Sequence, residues 1–273
     1  VPAYELGRFT VHEVLERAAI DANLIDEVIV GNVAGPADST NIARVIAMSA
    51  GIPKHVPAFT VNRNCASGFQ SITSAWEKIV SRQAEIVIAG GSESMSNIPF
   101  LFKKELQNIL SDLARARSIG QKIATLLRLR LRLYQPVIGI EAGLTDRISG
   151  MIMGSTAEVL AKEYGISRQE QDEFALLSHQ RTAEAIAAGK FKEEIVPVYP
   201  APKFKSRTDT LVRDKPVETD NGVRDGQTIE ALAKLKPYFD RSEYGTVTVG
   251  NSSQVTDGAA AVLVMSEEKA LSL

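Results

Sequence analysis

Between Ala3 and Ile20 the apolar residues Tyr4, Leu6, Val11, Val14, Leu15, Ala18 and Ala19 return roughly every three to four positions, which predicts a helix with one apolar face. "DEVIVGNV" at 26–33 breaks that spacing and reads as a short buried strand. "TNIARVIAMSAGI" at 40–52 restores it, until Gly51 and Pro53 end the helix. "PAFTV" at 57–61 reads as a strand. A third helix follows, on which Ala66, Phe69, Ile72, Trp76, Ile79 and Val80 recur at helical spacing, and "AEIVIAGG" at 84–91 then reads as a strand. Strands alternating with helices predict a mostly parallel sheet covered by helices, an α/β fold. After a long middle section, "GTVTVGN" at 245–251 and "GAAAVLVMS" at 258–266 give two more strand candidates around the turn "SSQVTDG". There is no fixed-period repeat and no low-complexity tract.

Composition narrows the functions. With 273 residues, 44% of them apolar, the chain can bury a large core in one or two domains. A net charge of −2 offers no general attraction to nucleic acid, and no run reaches the roughly 18 uninterrupted apolar residues of a membrane span. The single cysteine, Cys65, excludes an internal disulfide and a multi-cysteine zinc site. With no secretory segment at its start, the chain is expected in a reducing interior: the cytoplasm, or the mitochondrion in a eukaryote. No metal site is expected, and the sequon "NSS" at Asn251 reads as incidental.

Cys65 falls where the strand-like run gives way to the helix, whose start is expected at Asn64 or Cys65 with Asn64 as the N-cap. A cysteine in a first helical turn lies beside unpaired backbone N–H groups and the positive end of the helix dipole, a setting that favours thiolate over thiol. Position alone leaves a buried structural cysteine as the plainer reading. The neighbouring residues change the balance. "NRNCASGFQSI" followed by "AEIVIAGGSESMSNIPF" resembles the nucleophile region of the thiolases. "MGSTAEVLAKEYGISRQEQDEFALLSHQRTAEAIAAGKFKEEIVPV" is similar to their coenzyme A loop region, and "GTVTVGNSSQVTDGAAAVLVMSEEKAL" to the end of their N-terminal half.

This resemblance implies a thiolase-like N-terminal domain: a mixed, mostly parallel five-stranded sheet layered with helices, plus a helical loop domain. Residues 1–98 and 245–273 would form the core and 99–244 an inserted loop domain, with a basic insertion at 99–134 and the coenzyme A loop region at 150–244. The C-terminal thiolase domain would be absent. The implied chemistry is acyl transfer between a 3-ketoacyl-CoA and coenzyme A through an acyl-Cys65 intermediate, in fatty-acid β-oxidation, with coenzyme A as substrate and no resident cofactor. The Cys65 N–H can serve as one oxyanion donor, and Gly90 and Gly91 would let backbones approach closely unless they form only a turn. The resemblance sets Met153 beside the acyl pocket and Arg224 and Ser253 against coenzyme A; each reads blandly without it, as core filler, loop charge and turn former. Where many members carry a histidine before "MG", this chain has Ile152. A second cysteine is missing, and His12, His55 and His179 lie outside the family's histidine motif, so the chain is expected to be an N-terminal half that is inactive alone. A biosynthetic acetoacetyl-CoA thiolase, a ketosynthase-like enzyme and a non-catalytic half-thiolase that binds acyl-CoA or a partner are the alternatives. A homodimer or higher oligomer is implied, and no nucleic acid.

One segment is unusually basic. From Phe102 to Tyr134, Lys103, Lys104, Arg115, Arg117, Lys122, Arg128, Arg130 and Arg132 face only Glu105 and Asp112 as acids, a local excess of six positive charges. Leu106, Ile109, Leu110, Leu113, Ile119, Ile123, Leu126 and Leu127 fall at helical spacing, predicting basic amphipathic helices. The plain reading is a solvated face over a core. The segment also resembles the insertion in the thiolase subunit of the fatty-acid oxidation trifunctional complex, which implies contact through 102–134 with a partner subunit or an anionic membrane. "LRLRLRLY" at 127–134 reads as a strand by its alternation or as more helix.

Overall fold

In chain order, helix α1 (Ala3–Ala18) precedes strand β1 (Glu27–Gly31), helix α2 (Ile42–Ser49), strand β2 (Ala58–Val61), helix α3 (Ser67–Val80) and strand β3 (Ile86–Ser94). The structure is a computed structural model that describes residues 1–200 and 215–273, together with the backbone of Lys203–Phe204 and Leu211–Val212. The middle section contains β4 (Phe100–Leu101), α4 (Lys104–Arg115), α5 (Ile119–Leu126), β5 (Val137–Ile138), α6 (Gly139–Leu144), α7 (Met153–Tyr164), α8 (Arg168–Ala187), β6 (Lys203–Phe204), β7 (Leu211–Val212) and α9 (Ile229–Ala233). Strand β8 (Asp257–Met265) and helix α10 (Glu267–Ser272) close the chain.

The main sheet has the order β2-β1-β3-β8. β1 pairs in parallel with β2 (Val28 opposite Ala58) and with β3 (Val28 opposite Ile88), while β8 runs antiparallel to β3 from Ile86↔Met265 to Ser94↔Asp257. Parallel neighbours need long crossovers, and α2 and α3 are those crossovers. The unbroken apolar runs are explained by burial on both faces. Val28, Val30, Ile86 and Ile88 join Val11, Leu15, Ile42 and Ile46 of α1 and α2 in one core, whereas Ile29, Val87 and Ala89 pack with Ala75 of α3 on the other side. Each fully buried Ile or Val contributes roughly 1.5–3 kcal/mol relative to exposure.

The sheet has four strands among the described residues, against the five expected, because "GTVTVGN" forms none. Its backbone groups are taken elsewhere: Thr246 and Val247 donate to the Glu158 carboxylate, Thr248 donates to Asn251 Oδ1, and Val247 O accepts from Tyr238 N–H. β3 in turn extends three residues past Gly91, because β8 pairs along its whole length. In the basic segment, the pair β4–β5 closes a loop holding α4 and α5, and Leu106, Ile109 and Leu133 form a small core of their own. The alternating "LRLRLRLY" is a turn and a 3₁₀ helix (Leu131–Tyr134), since among the described residues no neighbouring strand offers it a ladder. No helix among the described residues is long and apolar enough to cross a membrane.

Candidate active site

Cys65 lies in a tight turn between β2 and α3. Asn64, at φ 48°, adopts the left-handed conformation that Asn tolerates better than most residues, and its N–H donates to Asn62 Oδ1 at 3.0 Å. The Ser67 hydroxyl closes the turn, accepting from Arg63 N–H at 2.9 Å and donating to Asn64 O at 2.6 Å. Helix α3 therefore begins at Ser67 with Ala66 as N-cap, two or three residues later than the sequence pattern predicts, and Asn64 is not the cap. A left-handed residue cannot continue into a helix, so the turn ends before the helix starts. The Cys65 side chain is exposed. Its N–H meets no hydrogen-bond acceptor among the described residues.

The first turns of α3 sit directly on the sheet. A Cβ on Gly31 would lie 2.4 Å from the Ser67 carbonyl carbon and 2.6 Å from Gly68 N, and one on Gly91 would lie 3.3 Å from Gly68 Cα. Ser71 Oγ reaches Gly90 O at 2.7 Å. Gly90 and Gly91 thus serve close approach within the strand rather than a turn. The buried face of α3 is its small-residue face, Ser67, Ser71 and Ala75, so Phe69, Trp76 and Val80 point outward, Trp76 at 60% exposure. Beside the turn, Glu93 at the end of β3 accepts from Val33 N–H at 2.8 Å and from Asn32 Nδ2 at 3.0 Å, fixing the loop that follows β1.

Met153, Arg224 and Ser253 belong to a second group of elements. Met153 is the first residue of α7 and half exposed; next to it, a Cβ on Gly154 would fall 2.2 Å from the Phe239 ring. One turn on, the buried Glu158 carboxylate accepts from Val247 N–H at 2.8 Å and Thr246 N–H at 3.0 Å. Buried Asp172 on α8 accepts from Arg168 at 2.7 Å and from Asn251 Nδ2 at 3.0 Å, and Arg168 also donates to Leu232 O at the end of α9. Exposed Ser253 follows directly on this framework, and exposed Arg224 lies on the loop before α9. Exposed Lys162 on α7 holds the half-buried Asp240 carboxyl below the usual carboxylate range through a 2.7 Å bond, helped by Ser242.

Glu158 and Asp172 are the framework residues that the sequence pattern misses. Nothing in "TAEVLAKEY" separates Glu158 from the solvated Glu163 until the fold buries one of them. Among the described residues no hydrogen bond or ion pair joins Cys65 to Met153, Arg224, Ser253 or any histidine, and no cluster of three or more His, Cys, Asp or Glu could hold a metal.

An α/β sheet with a cysteine turn leading into a helix packed on sheet glycines defines a class of protein, and comparison with known proteins narrows it. The description "Thiolase, N-terminal domain" matches residues 1–268, and the chain belongs to that family. It is 41% identical over 273 residues to a 3-ketoacyl-CoA thiolase of Citrobacter koseri and 42% identical to one of Yersinia pestis, in each case over 100% of this chain and 59% of the relative. The crystal structure of the Bacillus anthracis acetyl-CoA acetyltransferase superposes with a TM-score of 0.80 at 34% identity, over 100% of this chain and 61% of that one. The chain thus spans about 59% of the length of the curated relatives it matches.

Proposed function

We propose that the chain supplies the nucleophile and the coenzyme A-facing framework of an enzyme that moves acyl groups between a 3-ketoacyl-CoA and coenzyme A. The Cys65 thiolate attacks the ketone carbon, the carbon–carbon bond breaks, and acetyl-CoA leaves as its enolate and takes up a proton. The acyl group stays on sulfur until the thiol of a second coenzyme A displaces it. The observation that carries this reading is the turn itself. It presents an exposed thiol whose own N–H is unengaged among the described residues, where an oxyanion on the acyl carbonyl could accept it. The names of the relatives, 3-ketoacyl-CoA thiolases, favour the degradative direction and hence fatty-acid β-oxidation. Met153 is assigned to the acyl pocket and Arg224 and Ser253 to coenzyme A, an arginine suiting an anionic nucleotide and a hydroxyl a pantetheine amide. Residues 1–98 and 245–273 are read as the catalytic core and 99–244 as the inserted loop domain.

The reading is tested on Cys65. Iodoacetamide should label it, faster as pH rises, and in the enzyme that contains this chain Cys65→Ser should abolish both acyl-enzyme formation, followed by intact mass, and most of the turnover. Turnover retained in that variant would overturn the assignment.

The basic segment carries a second reading, for partners. Ile119, Ile123, Leu127 and Leu131 are exposed, Leu131 at 91%, among the cations of 102–134. Apolar side chains projecting from a basic surface suit an anionic lipid face, with a partner subunit as the other candidate.

A further inference from the structure

The segment Asn221–Gly226 has no helix or strand, yet two side chains from distant parts of the chain grip its backbone. Gln254 Nε2 donates to Gly222 O at 2.7 Å, and Arg224 N–H donates to His179 Nδ1 at 3.4 Å. We propose that Gln254 and His179 are positioning residues that clamp the Gly222–Arg224 loop and thereby set where the Arg224 guanidinium meets coenzyme A. The proposal rests on the reading above, in which Arg224 contacts coenzyme A.

Three features support a clamp over incidental contact. First, the two bonds fall on either side of Val223, so together they fix the orientation of the segment as well as its distance. Second, a Cβ on Gly222 would lie 2.9 Å from Gln254 Oε1, so the amide lies close against the backbone at Gly222. Third, both grips come from anchored elements. His179 is on α8, held to the Asn251 region through Asp172, and Gln254 lies two residues beyond Ser252, whose hydroxyl donates to Thr248 O at 2.6 Å. The Arg224 loop and the Ser253 turn then move as one unit, and a loop already ordered loses less entropy when ligand binds. At 2.7 Å against 3.4 Å, the glutamine bond is the stronger of the two. For His179 to accept at Nδ1, the ring must carry its proton on Nε2.

Amide hydrogen exchange across residues 221–227 and calorimetric titration with coenzyme A, both on this chain, provide the test. Gln254→Met and His179→Leu should each speed exchange of the segment and weaken coenzyme A binding by up to about fivefold, the effect of one ordinary hydrogen bond, with Gln254→Met the larger. His179→Asn, whose amide oxygen can stand in for Nδ1, should restore both, and the melting temperature should not change. Exchange unaltered in both variants would overturn the clamp. Faster exchange with coenzyme A affinity unaltered, while Arg224→Ala weakens binding, would overturn its role in positioning. An Arg224→Ala chain that binds like the parent would remove the coenzyme A reading and this role with it, while the exchange rates still decide whether the clamp exists.

Discussion

Glu158 shows how much one side chain can organise. Its carboxylate satisfies two backbone N–H groups and the Thr246 hydroxyl, and so stands in for the neighbouring strand that "GTVTVGN" lacks. Truncation leaves the buried Val247 N–H, and the part-buried Thr246 N–H and hydroxyl, without this partner, at roughly 1–3 kcal/mol for the buried donor and less for the others. Glu158→Ala should therefore lower stability in urea unfolding by about 2–4 kcal/mol, and Glu158→Gln by less, because the amide oxygen still accepts. A stability change under ~0.5 kcal/mol would show that the bonds do not matter. Cys65 was legible at this scale because a sole cysteine inside a motif-bearing stretch stands out. The hydroxyl of Ser67 was not, because serines are common and only the folded turn puts this one between Arg63 N–H and Asn64 O.

Among the elements, α3 is the one whose placement controls the nucleophile. Its contact with β1 leaves no space for a methyl group at Gly31, where backbone atoms of Ser67 and Gly68 stand in the way. Gly31→Ala should cost at least about 1–3 kcal/mol from overpacking and should displace the first turn of α3, slowing Cys65 alkylation at fixed pH. An alanine variant that melts and alkylates like the parent would show that the helix tolerates a looser seat. The helices of the basic segment make a different prediction. The chain should co-sediment with anionic vesicles and be released as salt rises, since the attraction is screened over roughly 10 Å at 0.1 M salt. Equal binding to neutral vesicles would exclude electrostatic docking, and binding to neither would leave the partner subunit or a plain solvated face over a core.

For the whole molecule, the expectation is catalytic silence with retained recognition. None of His12, His55 and His179 bonds to Cys65 among the described residues, and the apolar Phe69, Trp76 and Val80 of α3 face outward. The chain alone should not cleave acetoacetyl-CoA in a spectrophotometric assay, yet should bind coenzyme A weakly by calorimetry. Robust turnover by these residues alone would overturn that expectation and direct the search for a base to those three histidines. The α/β class, the order of strands and helices up to β3, and the motif around Cys65 were legible before folding, because each is written in local periodicity or in contiguous residues. So was the helical repeat of Phe69, Ile72 and Trp76. Which face of that helix is buried was set by the folded sheet: its glycines seat Ser67 and Gly68, Ser71 and Ala75 follow on the same face, and Phe69 and Trp76 are left outside. Folding also decided that "GTVTVGN" is held by a helix carboxylate and not by a strand, since a backbone N–H takes whichever acceptor the fold brings within reach.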